Sequence, residues 1–473
     1  MLSRREVLQS AVLAASAMVG GSLASAAAPS PRRRPFGGKL SKLQILQVGV
    51  GGTIAPHDRE QLEAHADVVI SGLCDVDRDA LAAAAKDRPQ AFTCTDFREA
   101  FDRYGDRFDA VIVCTPDHNH AVIDIMALKA NKHVYGQKPL VQQLSEVVDI
   151  ERAIAARPHL VTQVGNQRMG GPGRQHAVDI LRRGLLGKAI EAHVWISGPS
   201  DTGDGYFYYG GLKEPSPPPA NLDWDLWLGS AVDAPFREGL GPIRWRSSWD
   251  YGTGQLGDWC THLLDVLYFA YDLPSPSAVL SHTRTPSDFY HAQHVAATLT
   301  YEGSTRASGG ERFAKERFIV RYCDKSQAPS PAALGLPPVS FGGIGTLVVC
   351  EEGVLLVKPE GEIEVWRDGK PFDWRTLPGQ APDATGVRAR NHWHSWVDRI
   401  LGKSDAFVQT PFAVGAGMAE AGLLCSRAAR FPGVELRWDK TSLSFTNHDE
   451  ATKSIVRREY RKGFEIPVVA PAL

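Results

Sequence analysis

The chain has 473 residues, of which 43% are hydrophobic and 22% are charged, and its formal net charge is −2. This length exceeds one average domain and fits two, and the composition is that of a soluble globular protein. No sustained run of Lys and Arg follows residue 40, so the sequence lacks the basic surface that nucleic-acid binding requires. A small molecule is therefore the expected partner.

The amino terminus has a composition of its own. Arg4 and Arg5 precede a weakly hydrophobic segment at 7–26, which contains glycines and serines and ends in small residues suited to cleavage. This pattern resembles a twin-arginine export signal. A membrane helix is the alternative, but the polar residues dilute its hydrophobicity. We predict a signal peptide at 1–28, a flexible linker at 29–41, and a periplasmic or otherwise extracytoplasmic location without a stable membrane anchor.

The cysteines are odd in number, widely spaced and without a CxxC pair. This pattern predicts neither a disulfide framework nor a zinc cluster, and we expect buried free thiols and no metal site. The seven are Cys74, Cys94, Cys114, Cys260, Cys323, Cys350 and Cys425.

Short apolar runs alternate with helix-compatible segments through the first part of the chain. The runs lie at 43–49, 68–74, 91–93 and 109–114. Alternation at this pace predicts βαβ units and a parallel sheet.

The turn after the first apolar run carries the motif GVGG. Gly49, Gly51 and Gly52 would let the backbone approach a pyrophosphate at the start of a helix, next to Thr53 and Ile54. Ile54 occupies the place of the third glycine of GxGxxG, so the motif alone is weak. A plain glycine turn is the alternative.

An acidic residue at the end of the second run strengthens the nucleotide assignment. Asp75 lies near the offset of about 20 residues at which a carboxylate accepts hydrogen bonds from the adenosine ribose. A carboxylate there repels a 2′-phosphate, which favours NAD over NADP. Arg78 keeps NADP open as the minority alternative, because a guanidinium can neutralise that phosphate.

Polar residues follow the fourth run in the sequence TPDHNH. Thr115, Pro116 and His120 fit a loop beneath the cofactor's ribose and nicotinamide. Asp117 and Asn119 have an alternative role, which is to cap the following helix.

The stretch at 134–140 places a lysine directly before a proline at the end of a strand-like segment. Pro139 disfavours helical geometry at Lys138, so the lysine side chain can project from the carboxyl end of the strand. In an open parallel sheet that edge binds ligands. Lys138 is therefore expected where a nucleotide site meets a substrate pocket.

The second half of the chain combines an aromatic-rich irregular segment with further strands and helices. The irregular segment, at 197–249, includes Trp249, whose ring could pack against a sugar or against the protein core. Asp258 and His262 follow at a spacing of four, which places them on one helical face. Strand-like runs at 277–366 predict a mostly antiparallel sheet that helices could cover.

Together, GVGG, CDVD at 74–77, TPDHNHA at 115–121 and GQKPL at 136–140 resemble the glucose–fructose oxidoreductase, inositol dehydrogenase and rhizopine catabolism (Gfo/Idh/MocA) family. The resemblance runs from about residue 43 to 465, and a DxxxHxxD helix at 258–265 extends it. Gln137 departs from the family, which usually carries glutamate before the lysine, so a charge beside Lys138 is missing.

The resemblance implies a doubly wound Rossmann-like α/β domain at 42–166, followed by an α+β domain at 167–465 with a large, mostly antiparallel sheet, which binds substrate and supports homo-oligomers. It implies a catalytic set of three residues, and neighbouring polar groups beside the substrate. The catalytic candidates are Lys138, Asp258 and His262, the cofactor candidates include Gln137 and Lys138, and the substrate candidates are Asn166, Arg168, Trp249, Asp258 and His262.

The expected function is NAD-dependent hydride transfer at a secondary alcohol of a sugar or polyol, with a tightly bound cofactor that is recycled. His262 is the expected base and Lys138 the donor to the substrate oxygen, although these roles could be exchanged. Two alternatives stay open. One is redox-neutral cleavage of a glycoside through a keto sugar, and the other is a sugar-binding protein without catalysis.

Overall fold

The computed structural model describes residues 42–197, 207, 213–240, 244–283, 287–302, 312–324, 328–380, 391–403 and 408–470. The predicted signal peptide and linker lie outside these residues, as does part of the aromatic-rich segment.

Within the described chain, the first sheet has six strands, all parallel, in the order β3-β2-β1-β4-β5-β6. The strands are β1 (Leu43–Val48), β2 (Val68–Cys74), β3 (Phe92–Cys94), β4 (Ala110–Val113), β5 (His133–Gly136) and β6 (Thr162–Val164). Because β1 pairs with both β2 and β4, the strand order reverses there. The crevice outside the carboxyl ends at such a reversal is the usual ligand site of open α/β sheets.

Helices connect these strands, and local capping explains where several of them begin. The helices are α1 (Ile54–Glu63), α2 (Arg78–Ala85), α3 (Phe97–Tyr104), α4 (His120–Lys129) and α5 (Leu144–Ala155). Asp77 caps α2 by accepting from the backbone N–H groups of Asp79 and Ala80, and Asp96 caps α3 in the same manner. Glu146 closes a capping box at α5.

The second sheet has ten strands in the described chain, in the order β14-β13-β12-β11-β7-β10-β9-β8-β15-β16. They are β7 (Ala189–Ile196), β8 (Ala278–Ser281), β9 (Ala296–Glu302), β10 (Arg317–Asp324), β11 (Ile344–Cys350), β12 (Gly353–Val357), β13 (Ile363–Arg367), β14 (Lys370–Phe372), β15 (Glu435–Asp439) and β16 (Ser444–Phe445). The pair β7–β10 is parallel and the other described pairs are antiparallel. The fold class predicted from the sequence is therefore confirmed.

Seven further helices complete the described structure: α6 (Pro172–Arg182), α7 (Trp224–Leu228), α8 (Gly254–Leu263), α9 (Asp265–Tyr271), α10 (His392–Ile400), α11 (Phe412–Ala428) and α12 (Asp449–Ile455). The DxxxHxxD sequence is divided between two of them, since α8 ends before Asp265 and α9 begins there. No helix in the described ranges is long and apolar enough to cross a bilayer.

Helix α11 joins the two sheets. It packs against α5 and β6 on the side of the parallel sheet, and against α8, β8 and β9 on the other side. The close approach of α11 to these neighbouring elements explains its Ala- and Gly-rich sequence. A Cβ atom at Gly415 would lie 2.4 Å from Cγ2 of Val164, and one at Gly422 would lie 2.6 Å from Cβ of Cys260. Both sheets consequently belong to one compact unit, Leu40–Leu473.

Residues 213–240, here called the covering segment, lie across the mouth of the first sheet's crevice. At one end, Asp77 and Leu222 form an antiparallel bridge, and Asn221 Nδ2 donates to Asp77 Oδ1 at 2.8 Å. At the other end, Ser230 N donates to Asn119 Oδ1 at 2.9 Å. The covering segment thus bridges the loop after β2 and the loop after β4.

Candidate active site

A cavity of about 690 Å³ occupies the crevice at the carboxyl ends of the parallel strands. Its size lies within the range of small-molecule and cofactor sites. Every residue that the sequence predicts to bind the cofactor lines it: Gly49, Gly51, Gly52, Thr53, Ile54, Asp75, Thr115, Pro116, His120, Gln137 and Lys138.

The glycine turn leaves space where a dinucleotide phosphate would lie. Gly49 has φ of +81°, and a Cβ atom there would lie 2.7 Å from the carbonyl carbon of Cys114. Gly52 has φ of +69°, and no atom lies within 4 Å of the position that its Cβ would take. Helix α1 begins without a side-chain cap at Thr53, so N–H groups of its first turn are available to an anion.

Asp75, at the end of the second strand, contacts this turn directly. Its Oδ2 accepts from the backbone N–H groups of Val50 (2.7 Å) and Gly51 (3.1 Å), which fixes the turn. Carboxylate oxygens have further lone pairs, so Asp75 can also accept from ribose hydroxyls. Arg78 does not line the cavity, and its guanidinium donates to the Ala220 carbonyl. The residues present therefore fit NAD. A 2′-phosphate, as in NADP, would meet the Asp75 carboxylate at this end of the cavity and not the Arg78 guanidinium.

Lys138 and Asp258 meet on the far side of the same cavity. The Lys138 ammonium donates to Asp258 Oδ2 at 2.8 Å, and Arg246 Nε lies 3.4 Å from the other carboxylate oxygen. Asp258 is 5% exposed and Lys138 is 19% exposed. Lys138 and Asp258 thus form a largely buried ion pair in the wall of the cavity.

His262 is held by a chain of buried polar groups behind it. Its Nδ1 lies 3.1 Å from Asn166 Oδ1, while Asn166 Nδ2 donates to Asp265 Oδ2 at 3.2 Å. Asp265 in turn pairs with Arg174 at 2.5 Å, and both side chains are 1% exposed or less.

This chain of contacts sets the tautomer of His262. Since Asn166 turns its oxygen toward the ring, Nδ1 carries the proton and Nε2 is left as an acceptor. Burial, with further contributions from Lys138 and Arg168, lowers the pKa of His262 well below its usual range. The imidazole is therefore neutral at physiological pH, and its ring lines the cavity.

Asp117 is a second carboxyl group at the site. It lines the cavity and accepts from Thr253 Oγ1 at 2.9 Å. Burial, and then the charge of Asp258, raise the pKa of Asp117 to about 8. The two carboxyl groups differ in environment, since Asp258 has two cationic partners and Asp117 has a hydroxyl donor. With its raised pKa, Asp117 is a carboxyl group that can carry a proton at this site near neutral pH.

The structure places the predicted substrate residues differently from one another. Arg168 lines the cavity beside Trp259, with its guanidinium carbon 5.4 Å from the centre of that ring. Asn166 and Trp249 do not line it. Asn166 lies behind His262, and Trp249 stacks on His291 with ring centres 3.9 Å apart. The geometry therefore gives Asn166 a positioning role and Trp249 a packing role, and direct contact of either with substrate has no support in this arrangement.

Several residues of the site were not singled out from the sequence. Arg246, Trp259 and the covering segment all line the cavity, and Arg174 anchors Asp265 from outside it. The final acid of DxxxHxxD was a signal for Asp265. The arginines carried no signal, because they come from distant parts of the chain that only the tertiary fold brings together.

Comparison with known proteins agrees with this architecture. The oxidoreductase family with an NAD-binding Rossmann fold (GFO_IDH_MocA) matches residues 43–165, and the C-terminal α/β domain of that oxidoreductase family matches residues 175–308. The inositol 2-dehydrogenase/D-chiro-inositol 3-dehydrogenase of Lactiplantibacillus plantarum is 29% identical over 147 residues, which are 30% of this chain and 41% of that protein. The chain thus matches less than half the length of this curated relative.

Solved structures share the fold over most of their length. An inositol dehydrogenase homologue from Azotobacter vinelandii, complexed with NADH and myo-inositol, has a TM-score of 0.55 at 15% identity, and the match covers 84% of this chain and 98% of that one. An aldose–aldose oxidoreductase from Caulobacter crescentus has a TM-score of 0.54 at 14% identity, with 84% and 100% covered. The two matched domains, the paired sheets and the glycine-lined crevice lead to one conclusion: this chain belongs to the Gfo/Idh/MocA oxidoreductase family and carries its NAD-binding Rossmann domain.

Proposed function

We propose that the chain is an NAD-dependent oxidoreductase that transfers a hydride at a secondary alcohol carbon of a sugar or polyol. The observation that carries this proposal is the convergence of three groups on one cavity: the glycine turn, the Lys138–Asp258 pair, and a neutral His262 with Nε2 as acceptor. The names of the relatives, which include inositol dehydrogenases, support this substrate class.

The two side chains have separate tasks in this reaction. NAD, when bound, supplies the acceptor for the hydride that leaves the alcohol carbon. His262 Nε2 accepts the hydroxyl proton, and the Lys138 ammonium donates a hydrogen bond to the same oxygen as negative charge develops on it. The opposite assignment of roles is less suited to this geometry, because the Lys138 ammonium already donates to Asp258, whereas the contact with Asn166 leaves Nε2 of His262 as an acceptor.

Substitution of these two residues tests the proposal. Lys138→Met and His262→Ala should each lower kcat by roughly 10²–10⁴-fold with a substrate found in a polyol and sugar screen, since each removes a group that acts on the reacting oxygen. Lys129→Met, at an exposed lysine on α4, is the matched control and should keep full activity. Turnover that survives both site substitutions would refute the assignment.

We further propose that the cofactor stays bound through the catalytic cycle. The covering segment supports this, because eight of its residues line the same cavity as the glycine turn: Pro219, Asn221, Leu222, Leu226, Trp227, Phe236, Glu238 and Gly239. We infer that its contacts to Asp77 and Asn119 slow the departure of a cofactor bound beneath it. Gently denatured protein, purified without added nucleotide, should release about one dinucleotide per chain. Empty protein would count against retention.

A retained cofactor must be restored within each cycle. Transfer between two sugars does this, and so does a redox-neutral glycoside cleavage in which a hydroxyl is oxidised and later reduced on one substrate. Retention of the cofactor would favour both over a reaction that exchanges free NAD. Product mass spectrometry from a sugar and glycoside screen separates them: paired oxidised and reduced sugars indicate transfer, and a free sugar with an aglycone indicates cleavage.

We also propose that the chain is exported by the twin-arginine route after loading its cofactor, and that it forms a homo-oligomer through the outer face of the second sheet. Alternating burial along β9 and β10 supports the second point, because every second side chain is left partly open on that face. Fractionation with an Arg4→Lys/Arg5→Lys control and light scattering test these two proposals. Retention of the unmodified chain in the cytoplasm, or a monomeric mass, would contradict them.

A further inference from the structure

Gln137 precedes Lys138 at the position where a carboxylate would be expected, and its side chain is fully engaged. Gln137 Nε2 donates to Asp58 Oδ2 at 2.5 Å, and Gln137 Oε1 accepts from the backbone N–H of Lys138 at 3.2 Å. Gln137 is 4% exposed and Asp58 is fully buried. Both ends of the carboxamide therefore have one partner each, with a defined orientation.

Asp58 is a buried carboxyl group held mainly by neutral donors. Trp393 Nε1 donates to its Oδ1 at 2.8 Å, and the Cys114 thiol lies 3.6 Å from its Oδ2. Burial raises the pKa of Asp58 to about 6, so the group is ionised at neutral pH. A second carboxylate at position 137 would touch it in a closed site, where two negative charges cannot both persist.

Asp58 also joins three parts of the molecule that must be aligned for the reaction. It lies on α1, the helix that starts at the glycine turn. Through Gln137 it contacts the end of β5, from which Lys138 projects, and through Trp393 it contacts α10. A shift of Asp58 would therefore move Lys138 relative to the cofactor-binding turn.

We propose that Asp58 is the positioning acid of this site: its carboxylate takes the place of a glutamate at 137 and, through the Gln137 carboxamide, fixes Lys138 against the cofactor-binding helix. This assignment rests on the proposed function for its effect on turnover. The hydrogen-bond arrangement itself does not depend on which substrate is used.

Reversal of the pair is the test. Gln137→Glu alone places two carboxylates in contact and should lower kcat by roughly 10–100-fold, as loss of an orienting outer partner does at comparable sites. In the double variant Asp58→Asn/Gln137→Glu, the new amide at position 58 donates to the new carboxylate at position 137. The hydrogen bond between the two positions therefore re-forms in the opposite direction, and most of kcat should return with little change in KM.

The matched control removes a buried carboxylate elsewhere. Asp324 is 1% exposed and lies on β10 of the second sheet. Gln137→Glu/Asp324→Asn has the same net charge as the double variant but leaves the two carboxylates at positions 58 and 137 in contact, so it should show no rescue. All assays are run well below the unfolding temperature of each variant, so that the variants are folded during the assay. If Asp58 only stabilised the fold, kcat would then be unchanged.

Three results would overturn the proposal: full activity in Gln137→Glu, a double variant no better than Gln137→Glu, or equal rescue by the Asp324 control. Thermal unfolding and NADH fluorescence titration of the same variants give a readout without substrate. If no polyol or sugar is turned over, rescue of the unfolding midpoint by the double variant alone still supports the Asp58–Gln137 pairing. The failure would then belong to the proposed reaction.

Discussion

His262 depends on three residues that touch no substrate. Asn166 holds its Nδ1, Asp265 holds Asn166, and Arg174 neutralises Asp265. In the described structure the Asn166 amide thus bonds on both sides, and this leaves Nε2 of His262 as an acceptor of fixed direction. A histidine with a free ring could turn either nitrogen toward the substrate.

Asn166→Ala should therefore lower kcat about 10–100-fold while KM changes little, because ring orientation is lost and the substrate contacts of the cavity remain. Steady-state kinetics with the substrate from the screen provide the measurement. Asn447→Ala, at an exposed asparagine near the carboxyl end, serves as control. A rise in KM by the same factor, with kcat unchanged, would instead indicate that Asn166 binds substrate directly.

Asp117 gives a prediction for stability against pH. Its folded-state pKa of about 8 lies above the unfolded value of 3.8, so its contribution is fully present below about pH 4 and is lost as pH rises through 8. The charged groups that influence it are Asp258, Arg246 and Lys138, and Thr253 is its hydrogen-bond donor.

The Asp117→Asn variant lacks this titration. Relative to the unmodified chain, its free energy of unfolding should rise steadily between pH 4 and 8 and level off above that, as chemical denaturation across this range would show. A constant difference between the two proteins over the whole range would contradict a neutral Asp117.

At the scale of elements, α6 and α9 meet through the Arg174–Asp265 pair. Both side chains are almost completely buried, so each charge is stabilised by the other and not by water. Removal of one partner leaves an uncompensated charge in the interior, which is far more costly than removal of both.

Arg174→Met should accordingly destabilise the chain by about 3–5 kcal/mol, and Arg174→Met/Asp265→Leu should recover much of this stability. Denaturant unfolding monitored by tryptophan fluorescence measures both. Arg152→Met, at an exposed arginine on α5, should change stability only slightly. Equal destabilisation in the single and double variants would show that the Arg174–Asp265 pair does not connect α6 and α9 in this way.

The covering segment is the element that, under the proposed retention of NAD, would limit cofactor exchange. Asn221→Ala removes one hydrogen bond to Asp77, which is worth about 0.5–1.5 kcal/mol, so NAD should leave up to roughly tenfold faster. Ser216→Ala is the control in the same segment, because the Ser216 hydroxyl has no hydrogen-bond partner among the residues that the structure describes. Exchange against labelled NAD measures the rate. Identical rates in both variants would show that the segment does not retain the cofactor.

For the whole molecule, the sequence was informative wherever a pattern is local. The period of the apolar runs predicted the parallel sheet, and the short motifs predicted the family and NAD, all of which are confirmed. The catalytic roles of Lys138, Asp258 and His262 stay predictions, although the structure brings the three to one cavity.

Other features could not be predicted because they depend on contacts between distant segments. Gln137 looked like a loss of charge until the fold placed Asp58 against it. Trp249 looked like a sugar-binding ring, yet His291 and Arg430 cover it. The irregular segment gave no sign that it spans the crevice, since its bonds to Asp77 and Asn119 cross more than 100 residues of chain.

The most direct test of this account is the near-ultraviolet absorbance of purified, NAD-loaded protein mixed with a sugar and polyol panel, without added nucleotide. At least one compound should produce the absorbance of reduced nicotinamide in the unmodified chain, and in Lys138→Met the same compound should produce it roughly 10²–10⁴-fold more slowly. A loaded protein whose spectrum no compound changes, or a Lys138→Met variant that responds at the same rate, would contradict it.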